Sequence, residues 1–243
     1  MLRYNIEENN TRYFNILKKM QEALYTSPDR KYAIDFLKKR KIRKESIENF
    51  SIGWCPFNTK FSNMFKELEV FIGKVIFPIK NEYGDIITFS GRVPIKKEGI
   101  GPYIHGEFPK SFYLFGLNEA IPHIIKSNSV ILVEGQIDVI RLHQIGLKNA
   151  VGTMGTSLTE EHIAKLNRFT DRIIFMFDGD EPGRKSAKKT KIFLDQYSNV
   201  GYTIFSYKDI VLVKNDKSYD PDEWINKFGH KSLINKIKNE KVC

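Results

Sequence analysis

Only two cysteines, Cys55 and Cys243, occur in 243 residues. Four thiolates cannot converge on zinc within this chain, and two thiols so far apart read as free cysteines of a reducing compartment. No apolar run reaches the roughly 18 residues of a membrane span. The opening MLRYNIEENNTRYF lacks the apolar core of a secretory signal, so a cytoplasmic location is expected. The pattern G-x-x-x-x-G-K-[ST] is missing, which excludes a Walker-type ATPase. His105, His123, His143 and His162 lack metal-ligand spacing and read as surface or hydrogen-bonded helix residues. Acidic residues are the minority, 29 against 39 Lys and Arg, and the net charge of +10 favours polyanionic partners.

What is present is enough for globular cores: 41% hydrophobic residues, 13% of all residues being aromatic. The charge is uneven. Residues 1–126 hold 21 basic and 14 acidic residues, whereas residues 127–243 hold 18 and 15. Residues 9–50 carry helical apolar spacing (Phe14, Leu17, Leu24; Ile34, Phe36, Leu37) and predict two or three short helices, with TSPDR at 26–30 as a helix start that has Pro28 in its first turn. The run GKVIFPIKNEYGDIITFSGRV predicts an antiparallel hairpin turning at Glu82, Tyr83 and Gly84. Residues 96–111, punctuated by glycine and proline, read as a loop.

After residue 127 strands and helices alternate. Strands are expected at Val130–Val133, Asn149–Val151, Arg172–Phe177 and Tyr202–Phe205, with helices near 137–145, 159–168 and 183–195. Ser157 and Glu160 form a candidate capping box for the second helix. This alternation predicts an α/β fold, a parallel sheet flanked by helices, preceded by a basic mixed α+β subdomain.

In open parallel sheets, ligands gather beyond the carboxyl ends of the strands. There the first strand delivers Glu134, with Asp138 on the following helical turn. FMFDGDEPG places Asp178 and Asp180 after the third strand, and SYDPDEW places Asp220 and Asp222 after the fourth. Six converging carboxylates repel one another unless cations neutralise them. Oxygen-only ligation suits Mg²⁺ or Mn²⁺, and with phosphates as further ligands it supports metal-assisted phosphoryl chemistry. A single D-x-D is as readily a turn or helix cap, but three acidic pairs in order on one alternating unit point to a site. DGDEPG is not a calcium loop: Pro182 takes its fifth position and Lys189 its twelfth, where a bidentate glutamate is required. The basic run KKRKIRK at 38–44 reads as a solvated helix end, a nuclear-localisation-like run or a nucleic-acid track. The glycines of GTMGTS either approach phosphate or allow close strand-to-helix packing.

EGQID at 134–138, GTS at 155–157 and DGDEPGRKSA at 178–187 resemble the Toprim fold of bacterial-type primases, type IA and type II topoisomerases and small nucleases, and the primase branch in particular. The resemblance extends through YAIDFLKKRKIRKESIENFSIGWCP, the hairpin ending in G-R-V, PYIHGEFPKSFYLFGLNEA and YDPDEWI. It implies a DNA primase core: a basic subdomain at 1–126 that grips template and nucleotide, and a Toprim catalytic subdomain at 127–243 with a C-terminal helical extension. It implies template-directed synthesis of short RNA primers on single-stranded DNA from ribonucleoside triphosphates, with Mg²⁺ or Mn²⁺. Glu134, Asp138, Asp178 and Asp180 match catalytic acids, and Glu134, Asp178, Asp180, Asp220 and Asp222 match the metal site. Arg40, Arg92, Tyr103 and Lys110 match positions that hold template or nucleotide. A zinc-binding module and a replicative helicase would be partners supplied by other chains. Pro102, His105 and Lys41 stand where the family commonly has lysine, asparagine and glycine. Two rivals are a Toprim nuclease and a non-catalytic nucleic-acid-binding or recruitment module.

Overall fold

No glycine or proline interrupts residues 2–27, and the chain there forms one long helix, α1 (Leu2–Thr26). The computed structural model describes residues 2–57, 66–95, 99, 101–155, 158–199, 206–210, 212–215 and 217–239. Two short helices, α2 (Lys31–Lys39) and α3 (Lys44–Asn49), follow α1, so the expectation of short helices alone fails at the first, where nothing in the sequence breaks the helix. Pro28 lies in the turn before α2 instead of in its first turn.

The chain divides into two compact units, residues 1–108 and 109–243. In the first, four antiparallel strands lie in the order β1 (Gly53–Cys55), β2 (Lys74–Lys80), β3 (Ile86–Arg92) and β4 (Tyr103–His105). Ile16, Leu17 and Met20 of α1 are buried against Cys55, Ile76 and Phe89 of the sheet, an apolar stripe at helical spacing meeting a sheet face. The expected turn joins β2 to β3: Asn81 Oδ1 accepts from the backbone N–H groups of Tyr83 and Asp85. Asn10 on α1 clasps this hairpin, donating to Asp85 and accepting from the Ile86 N–H.

β4 lies inside the segment expected to be a loop. Its residues pair with β3 in the register Ser90↔His105, Gly91↔Ile104, Arg92↔Tyr103. Three residues between Pro102 and Gly106 are too few to show a period of two, and the pairing that makes them a strand comes from β3.

In the second unit a helix, α4 (Leu117–Ser127), precedes the sheet, and its Leu117, Ala120 and Ile124 are buried with Val130, Leu132 and Phe175. Residues 109–126, assigned by charge to the basic half, thus fall in the unit of the parallel sheet. That sheet has the order β6 (Ala150–Gly152), β5 (Val130–Val133), β7 (Arg172–Phe175), β8 (Ser206–Asp209), with every pair parallel. All four residues of central β5 are buried, which explains its uninterrupted apolar sequence. Helices α5 (Gln136–Gln144), α6 (Glu160–Leu166) and α7 (Glu181–Asn199) alternate with the strands. A ribbon of β9 (Val213–Lys214) and β10 (Lys217–Ser218) precedes α8 (Pro221–Phe228) and α9 (His230–Asn239). The α/β fold with a parallel sheet flanked by helices is therefore present.

The expected strand Tyr202–Phe205 lies outside the described residues, as does Ser157. The cap of α6 is Thr159, whose Oγ1 accepts the His162 N–H at 3.2 Å. No described helix is long and apolar enough to cross a membrane.

Candidate functional site

At the carboxyl end of β5, Glu134 is carried out of the buried strand and Gly135 caps α5. A Cβ on Gly135 would collide with the Asp138 carboxylate, so this turn needs glycine for Asp138 to fold back on it. Glu134 Oε1 is buried and has no hydrogen-bond partner. Burial, and then Asp180, push the Glu134 carboxyl above its ordinary value. Asp138 is buried with its Oδ1 accepting the Asp222 N–H at 3.2 Å. Burial raises its carboxyl well above the usual range, and Asp220 and Asp178 add to the effect.

Beyond β7, burial together with Glu134, Asp220, Asp180 and Glu223 pushes the Asp178 carboxyl up to about 7. Asp180 sits before α7, and its Oδ1 accepts the Gly183 N–H at 2.8 Å. Gly183 is required there because a Cβ would run into the Asp178 backbone. Asp220 caps α8 in a reciprocal box with Glu223: its Oδ1 accepts the Glu223 N–H at 2.6 Å, and Glu223 Oε2 accepts the Asp220 N–H at 3.4 Å. The helix-cap reading and the acid-cluster reading of these aspartates are thus compatible, since a capping oxygen leaves the carboxylate charge in place.

The structure therefore brings Glu134, Asp138, Asp178, Asp180 and Asp220 into one another's fields, and adds Glu223. Asp222 has a different surrounding from the one its spacing suggests. Arg141 Nε donates to Asp222 Oδ1 at 2.8 Å, the side chains being 7% and 2% exposed. Among the described residues no group of three or more His, Cys, Asp or Glu side chains is drawn together closely enough to hold a metal ion. The acidic edge is an open array, raised in energy by its own charge. An orphaned buried glutamate oxygen and three carboxyls pushed toward the protonated form fit a place where a hard cation supplies the missing charge.

Three of the expected nucleotide or template residues come together in the first unit. The Arg92 guanidinium lies over the Tyr103 ring at 4.6 Å and the Phe36 ring at 5.8 Å. Its Nε is buried without a hydrogen-bond partner. Burial lowers the Arg92 pKa, with Tyr103 opposing the shift and Arg40 adding to it. Two guanidiniums and a phenol held this way form a cationic, aromatic-backed patch suited to phosphate and a base face. The His105 ring stacks on Tyr103, with centroids 6.1 Å apart and planes 11° apart.

Lys110 falls in the second unit, on a short 3₁₀ turn held by α6. His162 Nε2 donates to the carbonyls of Lys110 and Tyr113 at 3.0 and 3.2 Å, and Thr159 Oγ1 donates to that of Ser111 at 2.7 Å. Burial lowers the His162 pKa, and the imidazole serves as a structural clasp. In the glycine-rich segment, a Cβ on Gly152 would press on Val139 at 3.1 Å, which supports the packing reading of that residue.

Sequence reasoning missed Glu223 and Arg141. The first carried a signal, since D-P-D-E before an apolar run is a capping-box pattern. The second carried none, as its partner is distant in sequence.

A family profile of the Toprim domain matches residues 128–201. The DNA primase of Rickettsia felis is 34% identical over 223 residues, which cover 81% of this chain and 36% of that protein. The crystal structure of the Aquifex aeolicus primase zinc-binding and RNA polymerase domains gives a TM-score of 0.81 at 27% identity, over 94% of this chain and 60% of that one. A primase catalytic domain solved with single-stranded DNA gives 0.78 at 26% identity, over 95% of this chain and 80% of that one. The parallel sheet with its acidic edge is a Toprim domain. The chain belongs to the bacterial-type DNA primases and carries the fold of their catalytic core.

Proposed function

We propose that this chain synthesises short RNA primers on single-stranded DNA by divalent-metal-dependent nucleotidyl transfer. The observation that carries the reading is the uncompensated acidic edge, with the Glu134 oxygen buried and unpartnered beside Asp178 and Asp180. Glu134, Asp178, Asp180 and Asp220 would hold Mg²⁺ or Mn²⁺, and Asp138 supports them from its buried position. Bound metal supplies Lewis-acid stabilisation of the α-phosphate and of the attacking and leaving oxygens. The 3′-oxygen of one ribonucleotide bonds to the α-phosphorus of the next, the α–β bridging P–O bond breaks, pyrophosphate leaves and the hydroxyl proton passes to solvent.

Residues 1–108 would grip template and nucleotide through Arg40, Arg92 and Tyr103. Guanidiniums bind phosphates bidentately and Tyr103 offers a ring face to a base. Lys110, on its clasped turn, supplies a further phosphate contact. The relative solved with single-stranded DNA supports that template class. A zinc-binding module and a replicative helicase are the proposed partners.

The test is incorporation of labelled ribonucleotides on mixed single-stranded DNA with Mg²⁺ or Mn²⁺, with candidate zinc-module and helicase chains added, for wild type and Glu134→Gln. Template-dependent short products that vanish in the variant are expected. Full activity in the variant would sink the assignment, and metal-dependent DNA cleavage in place of synthesis would make the chain a Toprim nuclease.

A further inference from the structure

Asp222 holds the last place in the acidic series and already has a cation. Arg141 stands one turn after Asp138 on α5, its side chain 7% exposed, with Nε donating to Asp222 Oδ1 at 2.8 Å. Its Nη2 donates to Asn226 Oδ1 at 3.1 Å, and Asn226 Nδ2 returns to Asp222 Oδ1 at 2.9 Å. The Asp222 N–H donates to Asp138 Oδ1 at 3.2 Å. One guanidinium thus ties α5 to the first turns of α8 through two side chains four residues apart, on one face of that helix. Asp222 is 2% exposed. Buried opposite charges with matched hydrogen bonds hold each other, because either one alone would be stranded away from water.

We propose that Arg141 is an internal counter-cation that withdraws Asp222 from metal binding, leaving the divalent ion to Glu134, Asp178, Asp180 and Asp220. The proposal rests on the metal-dependent reading of the acidic edge and narrows its ligand set. For Asp222 to ligate a divalent ion through Oδ1, Arg141 would have to leave a buried position and abandon Asn226 as well. A divalent ion bound through either oxygen would set a second cation against a carboxylate already paired with a guanidinium, at a side chain 2% exposed. The same clamp fixes the start of α8, where Asp220 caps the helix.

Two measurements on the full chain test this, neither of which reads primer synthesis. In the first, wild-type protein labelled with ¹⁵N is titrated with Mg²⁺, and the Arg141 Nε–H resonance and its hydrogen-exchange protection are followed with the amides around Glu134 and Asp178. The amides shift and the Arg141 protection persists if the proposal holds. Loss of that protection on metal binding overturns it. Absence of any Mg²⁺-dependent shift at the acidic edge overturns the metal reading itself, and the proposal with it, whereas a failure of primer synthesis alone touches neither result. In the second, Mn²⁺ affinity is measured calorimetrically for Asp178→Asn and for the neutralised pair Arg141→Met/Asp222→Asn. A tenfold or larger loss in the first variant and less than a threefold change in the second are expected. Equal losses in two folded proteins would contradict the assignment.

Discussion

Asp178 and Asp180 stand two residues apart after β7, and Asp220 and Asp222 repeat that spacing around the start of α8. In each pair one carboxylate accepts from the backbone of the helix that follows. In the first pair it is the second member, Asp180, and in the second pair it is the first, Asp220. The remaining two acids then diverge. Asp178 lies among Glu134, Asp180, Asp220 and Glu223, and its carboxyl is pushed up to about 7. Asp222 meets the Arg141 guanidinium at 2.8 Å. Identical spacing therefore sets where a carboxylate sits, and the partner delivered by another element sets what it can still bind.

The sharpest contrast is in stability. Asp222→Asn leaves the Arg141 guanidinium buried without its counter-charge and is expected to destabilise the fold by about 3–5 kcal/mol. Asp178→Asn removes a charge from a crowded acidic edge and is expected to raise the melting temperature of metal-free protein. Urea and thermal unfolding of the two variants measure both signs, and destabilisation of similar size in both would erase the distinction between the pairs. Next comes activity. Asp178→Asn should reduce ribonucleotide incorporation on the order of 10²–10³-fold, the scale on which one electrostatic stabiliser of a transition state acts.

A pH series sharpens the same contrast. The unfolded carboxyl of Asp178 titrates near 3.8 and the folded one near 7, so the folded metal-free protein holds that proton more tightly. The stability it contributes is full below 3.8 and declines as pH rises toward 7. His143 on α5 slopes the other way: burial, opposed by its hydrogen bond to the Ala150 carbonyl, holds it at about 4 against 6.5. Its contribution is full above 6.5 and is lost as pH falls toward 4. The difference in melting temperature between wild type and Asp178→Asn cancels the histidine and reports Asp178 together with its effect on Asp138. That difference should widen against wild type from pH 4 to 7 and close when Mg²⁺ is added, whereas a flat difference would place Asp178 outside the repelling cluster.

The smallest effect calibrates the scale away from the acids. Lys41, after α2, has φ 53°, a left-handed conformation that favours glycine. Lys41→Gly should stabilise the protein by about 0.5–1 kcal/mol in urea unfolding. A loss would mean that the Lys41 side-chain contacts outweigh the backbone strain.

These contrasts also separate what the sequence makes legible from what it does not. Val130–Val133 reads as a buried strand because an unbroken apolar run is what burial on both faces requires, and the parallel-sheet rule then places Glu134 at the ligand edge. The hairpin is legible because two β-rich runs flank a turn at Glu82, Tyr83 and Gly84. The length of α1 follows from missing breakers, yet the apolar spacing at 9–50 predicts only short segments. β4 is hidden because a three-residue strand exists only through pairing with β3. The fate of Asp222 is hidden for the same physical reason: Arg141 is 81 residues away in sequence, and no local pattern announces an ion pair that the fold assembles.

The most direct measurement is template-directed ribonucleotide incorporation on single-stranded DNA with Mg²⁺, run side by side for Asp178→Asn and Arg141→Met/Asp222→Asn against wild type. The account predicts that the first variant loses synthesis while the neutralised pair keeps most of it. Equal loss in both folded variants, or undiminished synthesis by Asp178→Asn, would contradict it.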